Sequence, residues 1–91
     1  MLDVLKIRED FPMLKKTMHG KPLIYLDNGA TTLKPQCVID SVCDYLTNYS
    51  GNAHRGDYDL SHEVDTKFEY VRSIVADFIH CKPEEVVYTY G

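Results

Sequence analysis

Ninety-one residues allow one small domain at most, and a chain of that length buries only about 60–65% of its unfolded surface. A composition that is 44% hydrophobic and 26% charged belongs to a globular protein rather than a disordered or fibrous one. Ten basic and fourteen acidic side chains are interspersed and net −4 at pH 7, which excludes the clustered basic face of a nucleic-acid binder.

No apolar run approaches the roughly 18 residues of a membrane span. The opening segment Met1 to Lys6 lacks a basic n-region and a long apolar stretch, so no signal peptide is expected. Cys37, Cys43 and Cys81 form no C-x-x-C pair and leave an odd thiol, which fits a reducing, cytoplasmic setting. All three fall on expected helices or a helix end and are read as buried packing thiols.

In chain order, Leu2, Leu5 and Ile7 give a short helical pattern that stops at Phe11-Pro12, because proline disfavours helix in the residue before it. Gly20-Lys21-Pro22 signals a turn. Leu23-Ile24-Tyr25-Leu26 is too brief for a helix and punctuated on both sides, so a strand is expected near 23–26. It runs into Asp27-Asn28-Gly29, a turn whose last two residues tolerate positive φ.

Thr32 has the character of an N-cap, with Pro35 in the first turn of a helix carrying Val38, Val42, Tyr45, Leu46 and Tyr49 and stopped by Gly51. Asp59 or Ser61 is placed to cap a second helix, with Glu63 and Asp65 complementing its positive end. Val64, Phe68, Val71, Val75, Phe78 and Ile79 form its apolar stripe. Lys82-Pro83 breaks that helix, and Val86 to Tyr90 reads as a β-branched and aromatic strand, near 86–90, that ends at Gly91.

Between the helices lies the polar loop from Asn52 to Ser61, which sets an imidazole and a permanent cation, His54 and Arg55, side by side before Gly56. Loops carrying such groups on a rigid support are where binding and catalysis concentrate. Arg55 can attract a carboxylate and His54 can hydrogen-bond near a substrate. The alternative is structural: both hold the loop to carbonyls or to Asp57 and Asp59. His54, Asp57, Asp59 and His62 match no common zinc or calcium spacing, so no metal site is expected. Tyr45, Tyr49 and Tyr70 are read as partly buried packing, since no basic groove accompanies them.

Taken together, the segments resemble the N-terminal quarter or so of a SUF-type (group II) cysteine desulfurase, in the class V aminotransferase family of pyridoxal-phosphate enzymes. The resemblance rests on Asp10-Phe11-Pro12, on Tyr25 through Thr32, and on Lys34-Pro35. It continues through Asn52, His54-Arg55-Gly56 and Leu60-Ser61, then Val71-Arg72 and Glu85 through Thr89. Each element alone is weak; their order and spacing are specific. Gly29 departs from the motif, where alanine is common, and that bears on fine specificity.

The resemblance implies an α/β chain, the N-terminal part of a fold-type I transferase, mainly helical here, with 1–91 a single incomplete segment and the enzyme a homodimer. It implies pyridoxal 5′-phosphate as cofactor, cysteine as substrate and a sulfur-acceptor protein as partner, with no nucleic acid or membrane. Asn28, Gly29, Ala30, His54 and Arg55 would face the substrate pocket, and Gly91 would begin the phosphate cradle. The cofactor lysine, the ring-stacking histidine and the nucleophilic cysteine lie further along in the family. Within the resemblance a selenocysteine lyase or another class V carbon–sulfur lyase stays open, since the discriminating cysteine loop lies further along in the family; from another class, an interaction module docking on a full-length subunit or acceptor stays open. The isolated chain is therefore expected to be inactive. Pyridoxal phosphate and borohydride should leave no site-specific lysine adduct on it; a stoichiometric adduct with alanine production from cysteine would contradict this.

Overall fold

The computed structural model describes residues 1–90. Its contacts divide into two compact units, Met1–Tyr45 and Leu46–Gly91.

The first unit opens on α1, Val4–Glu9, which starts where the Asp3 carboxylate accepts the Lys6 N–H at 3.1 Å. Lys6 and Arg8 in its last turn oppose the negative end of the helix dipole. Pro12 then begins a 3-10 turn, Pro12–Lys15, as its missing N–H and fixed φ allow. Strands β1 (Thr17–Met18) and β2 (Lys21–Pro22) pair antiparallel, Thr17 opposite Pro22 and Met18 opposite Lys21. The two residues between them, His19 and Gly20, have φ of 53° and 73°. Positive φ at both central positions is the hairpin turn that suits the right-handed twist of strands.

Leu23 donates its N–H to the Lys16 carbonyl at 3.3 Å and is the buried apolar residue of this unit, 6% exposed. Arg8 Nη2 donates to the Leu23 carbonyl at 3.3 Å, tying α1 to the segment after the hairpin. Helix α2, Gln36–Asp44, is joined to the end of α1 by the Gln36 N–H on the Asp10 carbonyl at 2.7 Å.

A π-helical turn, Tyr45–Tyr49, continues the chain, and the division between the units falls inside it. The second unit is organised by α3, Asp59–Ile79, which buries Ser61, Val64 and Ala76. It ends where His80 turns left-handed, φ 59°, and the Cys81 N–H reaches back to the Ala76 carbonyl at 2.9 Å. A 3-10 turn, Pro83–Glu85, comes next, and Val86 is buried beyond it.

Several expectations are corrected. The strands near 23–26 and 86–90 are absent as ladders; apolar, β-branched residues form a strand only beside a partner, and among the described residues neither segment has one. Pro35, not Thr32, is the N-cap of α2, and Thr32 spends its hydroxyl on Asn28 Oδ1 at 3.0 Å. Neither Asn28 nor Gly29 has positive φ, because the turn closes instead through the Ala30 and Thr31 N–H groups on the Asp27 carbonyl, at 3.1 and 3.2 Å. The α3 stripe is buried only in part: Val64 is 7% exposed, whereas Phe78 is 83% exposed. Cys37 and Cys43 are exposed and Cys81 is half-buried, so they are not core thiols.

Candidate functional site

The loop between the π-turn and α3 is held by side chains rather than by a ladder. The Asn52 N–H donates to the Tyr58 hydroxyl at 3.0 Å, and the Ser61 hydroxyl donates to the Asn52 carbonyl. Both backbone groups of one residue are thereby satisfied by the start of the helix. Ser61 is fully buried, and Tyr58 is the N-cap residue without a side-chain cap bond. Ser61, one of the two expected caps of α3, clamps the loop instead.

Gly56 makes that clamp possible. A Cβ there would lie 2.7 Å from Ser61 Cβ, closer than real side chains come. The loop therefore passes the helix at backbone distance.

His54 sits at the bend, with φ 61°. Its backbone N–H donates to Asp65 Oδ1 at 2.5 Å, and its Nδ1 lies 3.3 Å from the same oxygen. The imidazole meets the Phe68 ring edge-on, centroids 5.2 Å apart and planes at 88°. Asp65 thus serves the loop rather than the helix dipole alone, while Asp57 pairs with His62 Nε2 at 3.3 Å. The carboxylate that holds His54 is therefore neither Asp57 nor Asp59.

Behind Phe68 the packing continues. Tyr88 stacks on it at 4.2 Å, tilted by 57°, and donates its hydroxyl to the Phe68 carbonyl at 3.1 Å. The Arg72 guanidinium lies 4.8 Å over the Tyr88 ring, takes Glu69 Oε2 at 3.0 Å through Nε, and donates Nη1 to the Val86 carbonyl. A column of Arg72, Tyr88, Phe68 and His54 so links the last described segment to the loop.

Arg55, next to His54, is exposed and has no ion pair or hydrogen bond among the described residues. The structure holds one of the two neighbours firmly and leaves the permanent cation free. No group of three or more His, Cys, Asp or Glu among the described residues is arranged to hold a metal ion.

In the first unit, Asn28 lines a cavity of about 290 Å³ together with Arg8, Phe11, Tyr25 and Leu33. Tyr25 braces this wall by donating its hydroxyl to the Thr31 carbonyl at 2.5 Å. Gly29 and Ala30 belong to the adjoining turn, and nothing stands within 4 Å of a Cβ built on Gly29. Gly91 lies outside the described residues. Reasoning from sequence missed Asp65, Phe68 and Tyr88 as supports of His54. The separation of eleven positions between His54 and Asp65 carries no local signal, and only the i, i+3 spacing of Asp65 and Phe68 on one helix face hints at a shared target.

The family profile of Aminotransferase class-V matches residues 24–91. The chain belongs to the class V aminotransferase family. A probable cysteine desulfurase of Vibrio cholerae is 41% identical over 92 residues, spanning all of this chain and 23% of that protein. One from Mycolicibacterium paratuberculosis is 46% identical over 79 residues, 87% of this chain and 12% of its own length. The apo structure of a cysteine desulfurase from Thermococcus onnurineus NA1 superposes with a TM-score of 0.75 at 39% identity, covering 96% of this chain and 20% of that one. This class V chain spans about a quarter or less of the relatives it matches. Its fold is that of a fold-type I segment, mostly helical with two short strands.

The clamp yields a test. Gly56→Ala should destabilise the chain by about 1–3 kcal/mol, the range of overpacking a closed contact. Denaturant unfolding followed by circular dichroism measures it; an unchanged midpoint would contradict the close approach.

Proposed function

We propose that the chain is a segment of a SUF-type, pyridoxal-phosphate-dependent cysteine desulfurase. That enzyme converts L-cysteine to L-alanine and leaves an enzyme persulfide, whose sulfur goes to an acceptor protein for iron–sulfur cluster assembly. In this reading 1–91 is an incomplete part of one domain of a cytoplasmic homodimer, and Asn28, Gly29, Ala30, His54 and Arg55 face substrate. Family membership and the similarity to cysteine desulfurases over most of the chain support it.

The observation that carries the reading is Arg55. A guanidinium without a partner among the described residues, one residue from a backbone fixed by Asp65, is presented for a planar carboxylate such as that of an amino acid. His54 beside it offers an imidazole for a proton-bearing group. In the first unit, Asn28 lines a cavity, and the open space at Gly29 admits a close approach.

Pyridoxal phosphate, when bound, supplies an electron sink. The residues described here do not assemble a place for it. The Lys34 ammonium donates to the Thr32 carbonyl, Lys67 pairs with Glu63 at 3.6 Å, and every lysine is exposed. This chain's residues contribute the binding and orientation of substrate.

In the longer enzyme carrying this segment, Arg55→Ala should lower kcat/KM for cysteine by about 10- to 100-fold, chiefly through KM. That is the loss expected when one charge-assisted contact worth roughly 1.5–3 kcal/mol is removed. Arg55→Lys should fall between. Alanine formation provides the assay, and an undiminished kcat/KM in Arg55→Ala would overturn the assignment.

A further inference from the structure

Asp65 makes two contacts to one residue through one oxygen. Oδ1 accepts the His54 backbone N–H at 2.5 Å and stands 3.3 Å from Nδ1 of the same side chain. An ionised carboxylate can only accept, so the second contact is attractive only when Nδ1 carries the proton. In the neutral imidazole the other nitrogen, Nε2, is then left with its lone pair.

The surroundings favour this arrangement. The Asp65 side chain is 28% exposed against 50% for His54, and among the described residues no lysine or arginine competes for that carboxylate. The Phe68 ring stands edge-on to the imidazole at 5.2 Å and limits its rotation, while Tyr88 and Arg72 brace Phe68 from behind. The backbone bond to Oδ1 also stabilises the left-handed conformation of His54, which a histidine adopts at some cost. The other pair differs: His62 Nε2 and Asp57 make a hydrogen bond at 3.3 Å, whereas the ring contact of His54 is an ion-pair distance; both side chains of the His62 pair are largely exposed, with no backbone bond to share.

We propose that Asp65 is a positioning residue that favours the Nδ1–H tautomer of His54, so that Nε2 stays a hydrogen-bond acceptor one residue from Arg55, whose guanidinium has no partner among the described residues. A ligand that uses both groups offers a carboxylate to Arg55 and a proton donor to Nε2. This use of the tautomer rests on the substrate-facing reading of the loop; the tautomer itself does not.

The test uses the 91-residue chain labelled with ¹⁵N. Long-range ¹H–¹⁵N correlation of the imidazoles, recorded about two units above the ordinary histidine pKa of ~6.5, reports which nitrogen is protonated. The Nδ1–H form of His54 should be in excess, by roughly ten-fold if the carboxylate 3.3 Å from Nδ1 attracts its proton by about 1.4 kcal/mol. Asp65→Ala should lose that excess. Asp65→Asn, which keeps an acceptor for the backbone N–H, should preserve the left-handed φ measured by the amide–α-proton coupling. A predominantly Nε2–H His54 in the unsubstituted chain, or an unchanged tautomer ratio in Asp65→Ala, overturns the proposal. If the tautomer is as stated but His54→Ala leaves cysteine turnover by the longer enzyme unaltered, the substrate-facing reading fails and the positioning by Asp65 stands.

Discussion

The second unit depends on one kind of bond: a side chain from the first turns of α3 reaching across to the backbone of the loop that precedes it. Ser61 takes the Asn52 carbonyl and Asp65 takes the His54 N–H, so the loop is fixed without pairing to any strand. The Ser61 contact is half-buried, and a buried carbonyl left without a partner would cost about 1–3 kcal/mol; the Asp65 contact is exposed and carries less weight. Gly56 is the steric condition for them, since it lets the chain pass Ser61 at contact distance. The chemical consequence is a division of labour between neighbours: His54 is held, and Arg55 is free.

The same helix ties the far end of the unit to the loop. Arg72 grips the Val86 carbonyl and covers Tyr88, Tyr88 stacks on Phe68, and Phe68 meets His54. Aromatic contacts of this kind contribute about 0.5–1.5 kcal/mol each beyond area burial. Much apolar surface stays uncovered: Tyr70, Ile74 and Phe78, four residues apart on one face of α3, are 67%, 48% and 83% exposed. A core limited, among the described residues, to Leu23, Val64, Ala76 and Val86 agrees with the proposed place in a longer fold.

Helix α3 was legible in the sequence because Val64, Phe68, Val71 and Val75 recur at a spacing that only a helix brings onto one face. Its ends were less so. The start has no side-chain cap at Tyr58, and the stop comes from the left-handed His80, two residues before the more conspicuous Lys82-Pro83 break. The apolar runs at 23–26 and 86–90 show why strands are harder: composition describes a residue, whereas a ladder needs a neighbour. The hairpin at 17–22 was only half visible, as the turn at Gly20, because its two-residue strands are too short to show alternation. Among the site residues, the His54-Arg55 pair stood out as charged groups in a loop. Asp65 did not, since an acid in the first turns of a helix already has an electrostatic reason to be there.

Amide hydrogen exchange on the 91-residue chain tests the central claim most directly. The Asn52 and His54 N–H groups should exchange at least about ten-fold more slowly than unstructured peptide, because Tyr58 and Asp65 hold them, while the Arg55 amide, which has no such partner among the described residues, exchanges freely. If Asn52 and His54 exchange as fast as Arg55, the loop is not held by α3, and the account of this site is contradicted.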